Sequence, residues 1–516
     1  MIKRFKLYLN GIIQGVGMRP FVFNLAKGLY LNGFVQNTPE GLNIEVEGEE
    51  ENLKTFIEKL KIEKPSISYI YRFEVWEVEP EGYKSFEIVE SEEKGKVETY
   101  ILPDLATCKF CIEDIFDKGN RRYRYPFTNC TLCGPRFSII KKLPYDRKNT
   151  TMSEFKMCKE CQGEYDDPSD RRFHAQPNAC PECGPKVFFC SKEGKFLLEG
   201  EEALLEAEEY IKKGKIVGVK GLGGFHIVCS ARNDKAVALL RERKGRKEKP
   251  FALMYPSIEE IERDCFLDEK EKEILQSPQA PIVLLKNKDI FSISPLVAPR
   301  NQYLGVMLPY TPLHHILLSD LKCPIVATSG NLSEEPIITD ENYAFEKLKD
   351  LCDGFLIHNR KIERHIDDSI VRIMASKEVV LRRARGYVPF PFITDKKNNS
   401  VGFGGFLKAN ISFQKGKNIF VSQHIGDLET EGSFEVYKKI YKDFTNLFKI
   451  KPEKGSHDLH PDFPSTQFAL SQKLKMLPLQ HHIAHLFSCM EDNGIKPPLF
   501  ASIWDGTGLG DDKKIW

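Results

Sequence analysis

Cys108-Lys109-Phe110-Cys111 and Cys130-Thr131-Leu132-Cys133 return fifty residues later as Cys158-Lys159-Glu160-Cys161 and Cys180-Pro181-Glu182-Cys183. In both copies two residues separate the cysteines of a pair and eighteen separate the pairs, and the shared register runs past the thiols. Arg121-Arg122-Tyr123 matches Arg171-Arg172-Phe173, and Cys133-Gly134-Pro135 matches Cys183-Gly184-Pro185. Four thiolates in two such pairs are the ligand set of a closed tetrahedral zinc site, for which a spacer of roughly 15–20 residues is usual. Disulfides or incidental thiols give no reason for one register to persist through a tandem repeat. The spacing therefore predicts two structural zinc ions, held by Cys108, Cys111, Cys130 and Cys133 and by Cys158, Cys161, Cys180 and Cys183.

The chain of 516 residues has room for about three to four domains. With 41% hydrophobic and 29% charged residues and a net charge of +1, its composition is globular, and no bulk field would recruit nucleic acid or a membrane. The N-terminal stretch has no apolar run of about 7–15 residues before a cleavage site, and no later stretch approaches about 18 uninterrupted apolar residues. The remaining cysteines (Cys190, Cys229, Cys265, Cys323, Cys352 and Cys489) have no framework spacing. Thiolate zinc sites beside loose thiols point to a reducing compartment, so a cytoplasmic location is expected.

Before the cysteine module, apolar alternation predicts strands at Phe5–Leu9, Gly33–Asn37, Leu42–Val46, Phe73–Val78 and Phe86–Val89, and helices at Val16–Leu31 and Leu53–Ile62. That β-α-β-β-α-β order is ferredoxin-like. A charged linker, Glu90–Lys96, follows. Beyond the cysteines, strands at Ile216–Val219, Ile282–Leu285 and Pro324–Ala327 and a helix at Asp234–Arg243 predict a compact α/β domain. A Pro- and Lys-rich segment from Pro389 to Asn399 marks the next boundary, and the chain stops at Lys514-Ile515-Trp516 in what reads as a strand. The expected organisation is 1–92, 100–195, 200–391 and 400–516.

Three constellations carry chemistry. Gln14-Gly15-Val16-Gly17-Met18-Arg19-Pro20 joins a strand to a helix. Its glycines allow a tight turn with N–H groups pointing inward, and Arg19 adds charge suited to a phosphate-sized dianion. Asn37 would hold an attacking water; a purely structural turn is the competing reading. The second constellation packs six cations between Arg241 and Lys249, with Lys244, Arg246 and Lys249 set before Pro250-Phe251. It is paired with Thr328-Ser329-Gly330-Asn331, whose hydroxyls and amide suit a nucleotide. A solvated helix end and an ordinary turn compete here. The third is Gln480-His481-His482-Ile483-Ala484-His485, where His481 and His485 share one helix face and could hold a metal. No Glu follows the first His, which removes the metalloprotease reading. Asp505, in Asp505-Gly506-Thr507-Gly508 after a strand-like Leu499–Trp504, is a further metal-ligand candidate. Surface histidines and an Asp-Gly turn compete.

Residues 1–90 resemble an acylphosphatase through Gly11-x-x-Gln14-Gly15-Val16-Gly17-x-Arg19-Pro20 and Gly33-x-Val35-x-Asn37. The resemblance makes Arg19 the phosphate clamp and Asn37 the water-orienting residue; Met18 stands where Phe is usual. Lys244-x-Arg246, Lys249-Pro250-Phe251 and Thr328-Ser329-Gly330-Asn331 look like a threonylcarbamoyl-adenylate synthase, with Gly330 in place of the commoner Ala. Gly402-x-Gly404-Gly405-x-x-Lys408 and Ser422–Leu428 are similar to the first half of the ATPase-like domain of tRNA threonylcarbamoyl transferases, an actin/Hsp70-like fold.

Taken in this order, the modules resemble the HypF family of hydrogenase-maturation carbamoyltransferases across the whole chain. Gly221–His226, Met307–His314 and Asp367-Asp368-Ser369 support the match. The resemblance implies hydrolysis of carbamoyl phosphate, formation of carbamoyl-adenylate from ATP with Mg, and transfer of the carbamoyl group to a C-terminal cysteine of the partner HypE. It also implies that the chain carries only the first lobe of its ATPase-like domain, so it is expected to make carbamoyl-adenylate but to transfer the carbamoyl group to HypE poorly. A membrane partner is not expected. The rival readings are a tRNA-modifying or nucleic-acid-binding zinc protein and a non-catalytic scaffold. The cysteine repeats lack the aromatic-interleaved basic stripe that stacks bases, and nucleic-acid binding would leave Arg19 and Asn37 without employment. Closed four-thiolate sites keep no open position for catalysis, so the tandem is expected to fold a core-poor segment into a rigid spacer.

Overall fold

The computed structural model describes residues 2–38, 40–65, 67–90, 100–288, 292–332 and 335–516. Two compact units are present, one comprising Met1–Leu332 and Ile337–Phe390 and the other Ser333–Pro336 and Pro391–Trp516.

The first unit begins with β1 (Ile2–Ile12), α1 (Met18–Gly28), β2 (Asn32–Asn37), β3 (Leu42–Glu49), α2 (Glu50–Ile62), β4 (Tyr69–Val78) and β5 (Phe86–Val89). The sheet order is β4-β1-β3-β2-β5, with β1 antiparallel to β3 and β4, and β2 parallel to β5. Alternation puts Leu7, Leu9, Val35, Ile44 and Val46 on one face, where they pack with Val22, Phe23, Leu53 and Phe56 of the two helices. This is the expected ferredoxin-like arrangement. The first helix is shorter than its apolar pattern suggested because Gly17, at φ 76, caps it in the left-handed region. Residues 91–96 of the expected charged linker lie outside the described residues.

In each cysteine repeat a short helix follows the first thiol: α3 (Lys109–Phe116) after Cys108 and α4 (Lys159–Asp166) after Cys158. The segment is not core-poor. Ile115, Tyr125, Phe127, Ile139 and Met152 are buried in one cluster with Leu204, Val217, Ile316 and Leu356 of the α/β region. At about 25 cal/mol per Å² of apolar area, burial of these side chains contributes to holding the module against the α/β region.

The α/β region has an eleven-stranded mixed sheet. From one edge its strands are Lys377–Arg382, Ile370–Met374, Ile282–Lys286, Tyr303–Met307, Ala252–Met254, Ile325–Ser329, Phe225–Ser230, Val217–Lys220, Gly354–His358, Val187–Ser191 and Phe196–Glu199. The last two come from sequence directly after the second repeat, and Val187–Ser191 pairs antiparallel with Gly354–His358. The helix Asp234–Arg243 occupies the residues its periodicity predicts, capped by Asn233 accepting from the Ala236 N–H.

In the second unit a sheet runs Ser412–Val421, Phe392–Gly402, Lys454–Asp458, Lys475–Leu479, with helices Glu431–Leu447, Pro464–Ser471 and His481–Asn493. Lys396–Asn399, read as a boundary segment, lies inside the strand Phe392–Gly402. Leu499–Trp504 is irregular rather than a strand, and near the terminus a single bridge joins Leu509 to Ile515. Phe500 and Trp504 are almost fully exposed, so no packed layer is there to hold a strand. No described helix is long and apolar enough to cross a membrane.

Candidate functional site

Gly15 and Gly17 adopt φ 72 and 76, a region that strains any residue with a Cβ, and so turn the chain between β1 and α1. The turn is tied down by Gln14, whose Nε2 donates to Thr38 O at 2.8 Å and Gly41 O at 3.2 Å. With the Asn37 amide oxygen turned toward Arg19, Oδ1 accepts from Nε at 3.0 Å and Nη2 at 3.2 Å. The strand end and the helix start thus bring the two expected residues together at one pocket. The walls on the other side come from the cysteine module: Thr131, Arg136, Tyr145, His174 and Gln176. An added Cβ at Gly17 would stand 3.1 Å from Thr131 Oγ1. Burial pulls Arg19 below its ordinary value, partly offset by Asp146 and Tyr165.

The eight expected cysteines form two clusters, each with its four sulfurs within 4.8 Å of one another. Cys108–Cys130 and Cys130–Cys133 are 3.6 and 3.9 Å apart, and Cys158–Cys180 and Cys180–Cys183 3.8 and 3.7 Å. Zn–S bonds of about 2.3 Å set tetrahedral sulfurs about 3.8 Å apart, so both clusters fit zinc.

The repeats brace each other reciprocally. Arg121 and Arg122 of the first donate to Cys161 Sγ of the second at 3.3 and 3.6 Å, and both pair with Glu164. Arg171 of the second donates to Cys111 Sγ of the first at 3.4 Å, and Arg171 and Arg172 pair with Asp114. Arg122 Nε donates to Ala179 O and Arg172 Nε to Asn129 O. Every partner obeys the fifty-residue register, which makes the tandem a pseudo-twofold pair. Burial would push Glu164 up, but hydrogen bonds from Arg122 and Arg121 outweigh it and hold the carboxyl at about 2.

In the α/β region, Lys244 Nζ donates to Ser329 O at 2.6 Å and to Asn331 O and Oδ1, both at 3.1 Å. Arg246 Nη1 donates to Thr328 Oγ1 at 3.1 Å, and Ser329 Oγ to Asn331 Oδ1 at 2.9 Å. Two stretches eighty residues apart are thus one polar cluster. Lys249 joins it only through its carbonyl, which accepts from Arg246 Nε at 2.9 Å, and the residue itself is exposed. Burial, with Arg246 adding, pulls Lys244 down to about 7, and burial pulls Arg246 to about 10. Such desolvated cations gain most from an arriving polyphosphate. Gly221–His226, Met307–His314 and Asp367–Ser369 meet around one carboxylate. Asp368 receives His226 Nε2 at 3.1 Å and Arg385 Nε at 2.8 Å, and the Arg385 guanidinium lies 3.4 Å over the Tyr310 ring.

In the second unit, His481 Nε2 and His485 Nε2 lie 2.8 and 3.0 Å from Asp505 Oδ2, so all three expected residues converge. His481 Nδ1 is 2.5 Å from Asp458 Oδ2, the carboxylate–histidine pairing that orients a metal-binding imidazole. The Thr507 N–H, with His485, holds Asp505 at about 2 against a small burial effect, so it stays an anionic ligand. The donor set fits a divalent metal.

Sequence reasoning missed Asp458, Arg385 and every module residue in the Arg19 pocket. Asp458 sits in His457-Asp458-Leu459-His460, where a carboxylate among histidines was a usable signal. The pocket residues are contributed across domains, which no local pattern reveals.

Family models match along the chain in the order of these sites: acylphosphatase over residues 5–88, HypF finger over 107–140 and 157–190, a Sua5/YciO/YrdC model described as telomere recombination over 209–384, and the HypF Kae1-like domain over 395–492. The chain is 44% identical over 519 residues to carbamoyltransferase HypF of Synechocystis sp., covering all of itself and 68% of that protein. A crystal structure of full-length HypF in a phosphate- and nucleotide-bound form superposes with a TM-score of 0.96 at 44% identity, again over the whole chain and 68% of its own length. That of T. kodakarensis HypF gives 0.91 at 39% identity, covering 100% and 67%.

Proposed function

Because the chain belongs to the HypF carbamoyltransferase family, we propose that it takes a carbamoyl group from carbamoyl phosphate, activates it with ATP and delivers it to a C-terminal cysteine of the maturation protein HypE. The cyanide ligands of a [NiFe]-hydrogenase would derive from the resulting thiocarboxamide.

Residues 1–92 would act first. The N–H groups of the Gln14–Met18 turn and Arg19 bind the phosphoryl oxygens, Asn37 orients water, and the O–P bond breaks to give carbamate and phosphate. Residues 200–391 act next. A carbamate oxygen attacks the α-phosphorus of ATP, pyrophosphate leaves, and carbamoyl-adenylate forms. Lys244 and Arg246 stabilise the charge on the phosphates, with Thr328, Ser329 and Asn331 positioning the nucleotide and Lys249 adding charge at the rim; Mg accompanies ATP. In residues 400–516 the cysteine sulfur attacks the carbamoyl carbon and AMP leaves. His481, His485 and Asp505 would hold a divalent metal there, which supplies Lewis-acid polarisation when bound. The cysteine clusters within 100–195 hold zinc structurally.

Carrying this reading is the joining, within one compact unit, of the Arg19–Asn37 pocket and the Lys244/Arg246–Thr328/Ser329/Asn331 cluster through a module that walls the first and shares core with the second. Carbamate decomposes quickly in water, so adjacency within one chain raises its effective concentration. The test is exchange of labelled pyrophosphate into ATP. It should require carbamoyl phosphate and vanish in Arg19→Ala. Exchange that instead requires threonine and bicarbonate would replace this reading with tRNA modification.

A further inference from the structure

His174 belongs to the second cysteine repeat, yet it lines the pocket of Arg19 and Asn37. Its counterpart in the first repeat, fifty residues earlier, is Arg124, and both residues have φ 54, a left-handed conformation uncommon for a side chain with a Cβ. Arg124 spends that geometry on a tether: it donates to Glu201 and Asp320 of the α/β region, each at 2.6 Å. Among the described residues His174 forms no ion pair. Its ring stacks on Tyr165 at 5.0 Å and meets the edge of Phe173 at 4.3 Å, and neither ring nitrogen has a hydrogen-bond partner among the described residues. The backbone beneath is pinned. Gln176 Nε2 donates to His174 O at 2.9 Å, and Gln176 Oε1 accepts from Arg147 N at 2.6 Å and Tyr165 Oη at 2.9 Å. A stacked, half-buried ring whose nitrogens have no hydrogen-bond partner among the described residues therefore lines the same pocket as the phosphate turn.

We propose that His174 is a specificity-determining residue of the acyl-phosphate pocket, presenting one N–H donor and one nitrogen acceptor to the carbamoyl end of the substrate. This rests on the functional reading above. The phosphate end is provided for by the Gln14–Met18 turn and Arg19, so the zinc-module wall faces the remaining end of the molecule. A carbamoyl group offers an N–H donor and a carbonyl acceptor, which match the two faces of a neutral imidazole; an acetyl group offers only the acceptor. Burial and the charge of Arg19 pull His174 down to about 4, which keeps the ring in that neutral form. A site that hydrogen-bonds a substrate N–H discriminates against the analogue lacking it, because its own acceptor is then left without that partner.

The test uses the full zinc-loaded chain and its His174→Gly and His174→Ala variants, Gly being the residue that takes positive φ without strain and neither side chain carrying a donor or acceptor. Phosphate release is measured from carbamoyl phosphate and from acetyl phosphate, with zinc content determined on each sample. The expected result is a fall of about tenfold in the ratio of kcat/KM for carbamoyl over acetyl phosphate, the size of one lost hydrogen bond to a half-buried partner. An unchanged ratio overturns the assignment, whether both activities persist or both fall together, since a merely structural role lowers the two alike. A wild-type chain that turns over acetyl phosphate but not carbamoyl phosphate contradicts the functional reading and this assignment with it.

Discussion

Replacing Arg122 by Ala should loosen the second zinc cluster, although Arg122 belongs to the first repeat. Its guanidinium is buried and donates to Ala179 O at 2.9 Å, Asn178 Oδ1 at 3.0 Å, Glu164 at 2.8 and 2.5 Å, and Cys161 Sγ at 3.6 Å. Breaking a buried ion pair from one side costs about 3–5 kcal/mol. Here Glu164 keeps Arg121 at 2.7 Å and has a side chain 19% exposed, which lowers the figure to about 2–3 kcal/mol. If local opening precedes thiol reaction, that free energy raises the labelling rate roughly 30- to 160-fold. Pulsed alkylation with peptide mass spectrometry at pH 7 reads it directly. Cys158, Cys161, Cys180 and Cys183 should react faster in Arg122→Ala, while the first four keep near-native rates. Arg172→Ala should give the mirror image, exposing Cys108, Cys111, Cys130 and Cys133 through loss of the Asp114 pair and the Asn129 bond. Faster labelling confined to the mutated repeat itself would refute the reciprocal bracing.

Further outcomes follow from the other sites. Lys244 sits near 7 rather than its ordinary 10.4, so at pH 8 most free protein carries a neutral amine. Triphosphate favours the charged form, and ATP binding should therefore take up close to one proton at pH 8 and little at pH 6, measured calorimetrically in buffers of different ionisation enthalpy; Lys244→Arg should abolish the difference. Asp505→Asn should weaken divalent-metal binding about 10- to 100-fold by titration calorimetry, and Asp458→Asn should do so too although it stands behind His481. Gly17→Ala places a Cβ 3.1 Å from Thr131 Oγ1 at φ 76, and should lower kcat/KM for carbamoyl phosphate at least tenfold with two zinc ions still bound.

Local signals carried most of the architecture. The fifty-residue register named all eight thiols, and strand alternation in the first ninety residues placed each element of the first sheet, because both depend on near neighbours in the chain. His481 and His485 followed from helical spacing alone, and Lys244 and Arg246 from a short motif. What escaped has a common cause. Strand readings failed at Leu499–Trp504, where apolar residues have no layer to pack against. The core-poor reading of the cysteine segment failed because its Tyr125, Phe127 and Ile139 are buried by helices and strands more than fifty residues away. The wall of the Arg19 pocket was invisible for the same reason: His174 lies 155 positions from Arg19 in sequence, and only tertiary packing brings them to one cavity. Even so, the register held a clue, since His174 departs from its counterpart Arg124 directly after the shared Arg-Arg-aromatic stretch.

The claim that one chain both makes and consumes carbamate is tested most directly by complementation. Arg19→Ala and Lys244→Met chains, each inactive in carbamoyl-phosphate-dependent pyrophosphate exchange, are mixed at equal concentration and compared with wild type. Exchange in the mixture should stay near background, because carbamate released by the Lys244→Met chain decays before reaching the intact adenylating site of the other. Recovery to about half of the wild-type rate would mean that carbamate travels freely between molecules, and would contradict the coupling of the two sites.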